Sequence, residues 1–318
     1  MRYLSPKADL TFKKVFGEHP DLIISFLNAL LPFESADEEI TWVEYLNPEL
    51  VPNNPLGKDS IVDVRCKDRQ GRQFIVEMQM MWTSAYRQRV LFNASKAYVS
   101  QLERGGDYEL LQPVYSLNLV NDTFSDSEDY YHDYRIVEVA ETKQVIEGLR
   151  FIFIELPKFT PKNYGDRKMQ VLWLRYLTEI NEKTREVPEE LLENPEISKA
   201  VTQLEESAFS DAQLLGYDKF WDMVSTAKMQ ISSSRREALA KGRAEGLAQG
   251  LEEGRRKGLE EGREKGLEEG RKEGREEGRE EGREEERLRN ARAMKAKGYA
   301  LEDIAEITGL PYDKIQAL

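Results

Sequence analysis

Eleven glycines stand at every fourth position from Gly242 to Gly282. No compact core can be built on that segment, because apolar residues are scarce: after Leu251 only Leu259 and Leu267 occur before Leu288. The remaining positions are mostly Glu, Arg and Lys, and many glutamates precede a basic residue by three or four positions (Glu252 and Arg255, Glu253 and Lys257, Glu261 and Lys265). Each such pair adds about 0.2–0.5 kcal/mol to a helix. Each interior glycine costs about 1 kcal/mol relative to alanine, so the block loses on the order of 10 kcal/mol. On a helix of 3.6 residues per turn, a period of four drifts by about 40° per step. The glycine stripe therefore winds around the helix, and no straight partner can follow it. Residues 236–289 read as an exposed, salt-bridged helical spacer. Formation of a homo-oligomer through Leu239, Leu247 and Leu251 stays open as the alternative.

The 318-residue chain has a net charge of −13. That excludes a protein coated with basic surface for nucleic acid, but not one with a local basic groove. A single cysteine, Cys66, excludes a disulfide scaffold or a Cys-rich zinc module. Two histidines, His19 and His132, exclude a His-rich metal site. No apolar run reaches the length of a membrane span and no signal-peptide pattern opens the chain. The expectation is a cytoplasmic protein with no membrane partner and a reduced Cys66.

Outside the spacer the patterning is that of a mixed α/β domain. Ala8, Phe12, Val15 and Phe16 share one helix face, and Ile23, Phe26, Leu27 and Leu30 share a second. Residues 40–46 read as a strand and Asn47–Gly57 as a loop. Two further strands, Ser60–Cys66 and Gln73–Met80, flank Arg69-Gln70-Gly71, which suits a hairpin turn with glycine in the left-handed position. A helix from about Thr83 to Glu103 follows, then strands at 113–121, 133–139 and 149–156. Residues 161–235 read as helical, with the pattern beginning at Asn163.

The hairpin carries the chemistry. In a symmetric register, cross-strand partners sum to about 140, so Asp63 lies opposite Glu77. Side chains alternate along strands. Asp63, Glu77 and Gln79 then share one face with Arg65 and Ile75, and Val62, Val64, Cys66, Phe74, Val76 and Met78 share the other. Two neighbouring carboxylates repel unless one is protonated or a cation lies between them. Mg²⁺ suits that place, taking one or two carboxylates and keeping waters or phosphate oxygens. Gln79 would point at the same site, to orient water or hold phosphate. The basic hairpin tip (Arg65, Lys67, Arg69, Arg72) would steer a nucleic-acid backbone towards the metal. A solvated acidic face is the plainer alternative on pattern alone.

Asp63, thirteen intervening residues, then Glu77-Met78-Gln79 resembles the D…E-x-Q variant of the PD-(D/E)XK nuclease motif. The opening Pro6-Lys7-Ala8-Asp9-Leu10-Thr11-Phe12-Lys13-Lys14-Val15-Phe16-Gly17 resembles the start of the recombination-promoting nuclease and transposase-like family. So do Ile75 to Gln79 followed by Arg89 and Tyr98, then Gly106-Asp107-Tyr108 and Pro113-Val114-Tyr115. The likeness covers roughly residues 1–155, and such proteins often carry a glutamate- and glycine-rich tail. It implies a restriction-endonuclease-like core, a mixed sheet flanked by helices, and a Mg²⁺-dependent DNA endonuclease in which Mn²⁺ can substitute. Asp63 and Glu77 would be the metal ligands. Gln79 stands where many relatives have lysine, and an amide is neither a base nor a cation. Asp9 and Lys13, one turn apart, either face the site or form an exposed ion pair. Arg89 either contacts a phosphate or makes a surface salt bridge.

The chain then divides into a nuclease-like domain (1–160), a helical region (161–235), the charged helical spacer (236–289) and a C-terminal unit (290–318). In that last unit Ala305, Gly309 and Ile315 have helix-turn-helix spacing, with Ile304 and Leu310 also in its core. It has few residues suited to reading DNA, so a protein-interaction role is equally open. DNA is the expected substrate, in recombination, transposition or defence against foreign DNA. The rival reading is a catalytically weak or inactive nuclease fold that binds DNA or protein and is assembled through its tail.

Overall fold

The apolar spacing of the N-terminal segment produces two helices, α1 (Asp9–Glu18) and α2 (Pro20–Leu30), in a computed structural model that describes residues 2–50, 60–102, 105–161 and 168–318. Phe16 is fully buried between them, with ring centroids 4.8 Å from Phe12, 4.3 Å from Phe26 and 5.5 Å from Trp173. Strands β1 (Glu44–Tyr45), β2 (Glu49–Leu50), β3 (Ser60–Ile61), β4 (Val64–Lys67) and β5 (Gln73–Gln79) follow. Then come α3 (Tyr86–Val99), β6 (Val114–Val120), β7 (Tyr131–Val137) and β8 (Val145–Glu155). Helices α4 (Lys168–Glu179), α5 (Glu189–Leu192), α6 (Pro195–Thr202), α7 (Asp211–Ala296), α8 (Leu301–Thr308) and α9 (Tyr312–Gln316) complete the chain. Contacts divide it into two units, Met1–Ile231 and Ser232–Leu318.

The first unit is a mixed sheet flanked by helices, in the order β1-β4-β5-β6-β8-β7. The central strands β5, β6 and β8 are parallel, while β1, β4 and β7 pair antiparallel with their neighbours. On one face Val64, Cys66, Phe74, Val76, Leu117 and Ile152 pack against residues of α1, α2, α4 and α6. Burial there pushes the Cys66 thiol up to about 12. On the other face α3 lays Ala94 and Ala97 on Ile75 and Val114, and Tyr86 and Val90 on Val120 and Phe153. The first residues of α7 belong to this unit, with Tyr217 packed on Leu4, Ala8 and Phe209.

The hairpin register is the expected one, with Val64 paired to Val76 and Lys67 to Gln73. Gly71 has φ +86°, and the Asp68 carboxylate closes the turn by accepting from Arg72 N at 2.9 Å. The first strand differs from expectation. It breaks at Val62 and Asp63, where Val62 N donates to Pro48 O at 3.1 Å. That break turns Val62 to the α3 face with Ile75, not to the face of Val64. The strand expected over 40–46 is reduced to Glu44–Tyr45, which pairs with Lys67 and Cys66 where β4 ends. Most of the loop expected to Gly57, the helix end at Glu103 and the helical start at Asn163 lie outside the described residues. Among the described residues no helix is long and apolar enough to cross a membrane.

In the second unit α7 continues through the glycine block. Leu247, Leu251 and Leu259 are exposed there, and Glu253 pairs with Lys257 at 2.9 Å. A Cβ added at any glycine from Gly242 to Gly282 would meet no atom within 4 Å. At the end of the unit Ala291, Ile304, Leu310 and Ile315 form a small core, with Gly309 left-handed at φ +66°. Because those glycine positions are open, Gly262→Ala should stabilise the local helix by about 1 kcal/mol. Slower amide exchange around residue 262 would show it, and unchanged exchange would mean that the segment is not helical in solution.

Candidate active site

Parallel strands present their carboxyl ends on one side of a sheet, and crevices there receive ligands. Here β5 ends at Gln79, and a cleft of about 920 Å³ opens beside it. Its walls include Asp9 from α1, Asp63 from the break before β4, Glu77 and Gln79 from β5, and Arg89 from α3. Lys7, just before α1, also lines it.

The bend at Asp63 gives its side chain a backbone partner. Asp63 Oδ2 accepts from Met78 N at 2.7 Å, across from the neighbouring strand. The paired register stops at Val64 and Val76, one residue short of Asp63 and Glu77. Glu77 is 5% exposed because α3 covers it. Its Oε1 accepts from Asn93 Nδ2 at 2.9 Å and its Oε2 from Arg89 Nη2 at 3.3 Å. Arg89 Nη2 also donates to Gln79 Oε1 at 2.6 Å, and Gln79 Nε2 donates to Met81 O at 2.7 Å. The Arg89 guanidinium stacks over the Tyr86 ring at 4.8 Å, and the Tyr86 hydroxyl donates to Asn118 Oδ1 at 3.0 Å.

Burial disfavours a charged carboxylate and a neighbouring negative charge adds to the penalty. Asp63 is pushed up to about 6, first by burial and then by the charges of Glu77 and Asp9, against the opposing bond from Met78 N. Burial also raises Glu77, against Arg89 and Asn93. Asp9 and Lys13 form an ion pair at 2.6 Å with both side chains exposed. Asp9 reaches the cleft, whereas Lys13 lines a neighbouring groove between α1 and α7.

Five of the six residues singled out from sequence thus line one cleft. The basic hairpin tip does not. Arg69 and Arg72 lie at the turn, at the opposite end of the β4–β5 ladder from Asp63, which at about 3.4 Å per residue is some 20 Å away. Arg72 is spent on Asp68 at 2.6 Å and Lys67 on Glu44 at 3.1 Å. Neither histidine lines the cleft. Asn93, Tyr86 and Lys7 went unread in the sequence. Asn93 lies one turn beyond Arg89 and Tyr86 one turn before it, so helical spacing was the available signal.

A model of the family described as PD-(D/E)XK nuclease family transposase matches residues 6–233. The chain belongs to this family. No curated protein and no solved structure matches it.

Among the described residues no group of three or more His, Cys, Asp or Glu side chains is placed to hold a metal. The carboxylates that line the cleft are those of Asp9, Asp63 and Glu77, and of these Asp63 and Glu77 sit on neighbouring segments of the sheet. Such a pair fits Mg²⁺, which takes one or two carboxylates and keeps its other ligands as water or phosphate oxygen. It does not fit a closed zinc site. Linkage gives a test of this electrostatic reading without metal. Asp63 binds its proton more tightly folded than unfolded, so stability falls as pH rises from about 4 through about 6. Asp63→Asn removes that charge and keeps the oxygen facing Met78 N. In metal-free buffer it should be more stable than the parent chain by about 1–3 kcal/mol at pH 8, with the gap closing towards pH 4. Urea unfolding at several pH values measures this, and a pH-independent difference would contradict it.

Proposed function

We propose that this PD-(D/E)XK chain is a Mg²⁺-dependent DNA endonuclease whose metal ligands are Asp63 and Glu77. The observation that carries the reading is the pair of carboxylates, half-buried Asp63 before β4 and buried Glu77 near the carboxyl end of β5, both with raised pKa and both lining an open cleft. Asp63 and Glu77 would hold a divalent cation, which would relieve their repulsion, lower the pKa of water and neutralise charge on the phosphate.

The chain's own residues then have separable tasks. Met78 N fixes one oxygen of Asp63, and Asn93 fixes one oxygen of Glu77. A carboxylate oxygen has lone pairs beyond those used in these bonds. Arg89 holds Gln79 and Glu77 in register, and its exposed side can meet a phosphate. Gln79 orients water through its amide. Attack of water on phosphorus breaks the bond to the 3′ oxygen, which departs with a proton and leaves a 5′ phosphate. No residue of the strand supplies the cation that lysine would at position 79.

A second reading is kept by one observation. The Gln79 amide is held by Arg89 and Met81 O, an arrangement equally at home in a fold that binds DNA without cutting it.

Plasmid DNA incubated with the full chain and Mg²⁺ separates the two. The endonuclease reading expects nicking that EDTA abolishes, that Mn²⁺ restores, and that falls to background in the Asp63→Ala, Glu77→Ala double variant. Nicking that survives the double change would falsify the site assignment. Metal-independent binding without any nicking would favour the second reading.

A further inference from the structure

We propose that Lys7 is the residue that grips the phosphate to be cut, supplying from the chain's N-terminal segment the positive charge that Gln79 cannot supply from β5. The proposal rests on the nuclease reading for the word "cut", and its phosphate contact is measurable without cleavage.

Lys7 stands between buried Pro6 and Ala8, immediately before α1, and is itself half-buried. Its Nζ donates to Asn121 Oδ1 at 3.0 Å. Asn121 follows β6, and its own N–H donates to Gln79 O at 2.8 Å. Two hydrogen bonds therefore tether the ammonium to the strand end that carries Gln79. Lys7 also lines the cleft that holds Asp63 and Glu77.

The cleft's cations are not equivalent. Arg89 is committed to Glu77 at 3.3 Å and Gln79 at 2.6 Å. Lys13, in the adjoining groove, is committed to Asp9 at 2.6 Å. Among the described residues no carboxylate forms an ion pair with Lys7, and its partner is a neutral amide oxygen. Burial and the like charge of Lys228 lower its pKa, outweighing the opposite charge of Glu182. A half-buried ammonium without a counter-ion is costly to keep. Sites that keep such a group in a cleft are candidates for function. An anionic phosphate oxygen is a stronger partner than the Asn121 amide, and lysine serves phosphate as a point charge. The carboxylates of Asp9, Asp63 and Glu77 and the Lys7 ammonium line one cleft. A phosphodiester bound there would meet Lys7 through a non-bridging oxygen, while an ion held by Asp63 and Glu77 would supply the remaining positive charge.

The experiment uses the full chain and a fluorescent DNA duplex in EDTA, so that binding is read without cutting. Dissociation constants are measured over a range of salt for the parent chain, Lys7→Gln, Lys7→Met and Lys7→Arg, with thermal midpoints to identify any variant that does not fold. Loss of one phosphate contact should weaken binding several-fold in Lys7→Gln and Lys7→Met. It should also reduce the slope of log affinity against log salt by about 0.9, whereas Lys7→Arg should keep the slope. A purely structural lysine would change the midpoint and leave the slope alone. Folded Lys7→Gln with parental affinity and slope overturns the proposal, and so does a parent chain that binds no duplex. If Lys7→Gln cuts like the parent while the Asp63→Ala, Glu77→Ala chain is inert, Lys7 is wrong and the nuclease reading stands. If the parent never cuts but Lys7→Gln loses the contact, the phosphate assignment stands and the cleavage reading fails.

Discussion

Glu77 is a carboxylate placed in the middle of a sheet face and then covered by a helix. Burying an ionised carboxylate is strongly unfavourable unless hydrogen bonds or opposite charge compensate it. The compensation comes from α3, whose Arg89 and Asn93 bond the two carboxylate oxygens. The same helix packs Val90, Ala94 and Ala97 onto the strands. Its position is therefore fixed twice, by apolar contact and by the buried charge. Tyr86 extends the network, bracing Arg89 with its ring while its hydroxyl reaches Asn118 of β6. Moving α3 would unpair Glu77, so the geometry of the cleft and the packing of the sheet are one constraint.

The local parts of this arrangement were legible in the sequence. Gly71 and the apolar face shared by Val64, Cys66, Phe74 and Val76 were enough to set the hairpin register, because a slip by one residue would turn every side chain to the wrong face. Asp63, Glu77 and Gln79 follow from that register. Two things did not follow. Val62 obeys the alternation only if the strand is continuous, and the bend that supplies Asp63 to Met78 N also turns Val62 away from it. Pattern alone leaves a solvated acidic face open, because alternation says which side chains share a face and not what lies on top of it. Covering by α3 is a tertiary event that a hairpin pattern does not encode. Lys7 is the extreme case, since its partner Asn121 is 114 residues away.

These long-range partners bear on the glutamine at position 79. Where lysine stands at the place of Gln79, the cation arrives with the motif and its position is set by the strand that carries the second acid. Here the cations are set by other elements, Arg89 by α3 and Lys7 by the segment before α1. Their positions depend on the packing of α1 and α3 on opposite faces of one sheet. Such a site is sensitive to the integrity of the whole unit, including the start of α7, where Phe220 lines the same cleft.

That dependence bears on where the compact unit ends along the chain. The family match stops at residue 233 and the first compact unit at Ile231, close together within the single helix α7. Up to that point α7 contributes Tyr217, Phe220 and Trp221 to packing in the first unit. Beyond it, through the glycine block, the helix exposes its leucines and offers no glycine a neighbour within 4 Å. A helix polar on all sides gains nothing from burial and stands on local terms alone, which glycine at every fourth position weakens. The period that dominates the sequence therefore belongs to a stretch outside the compact unit that holds the sheet and the cleft.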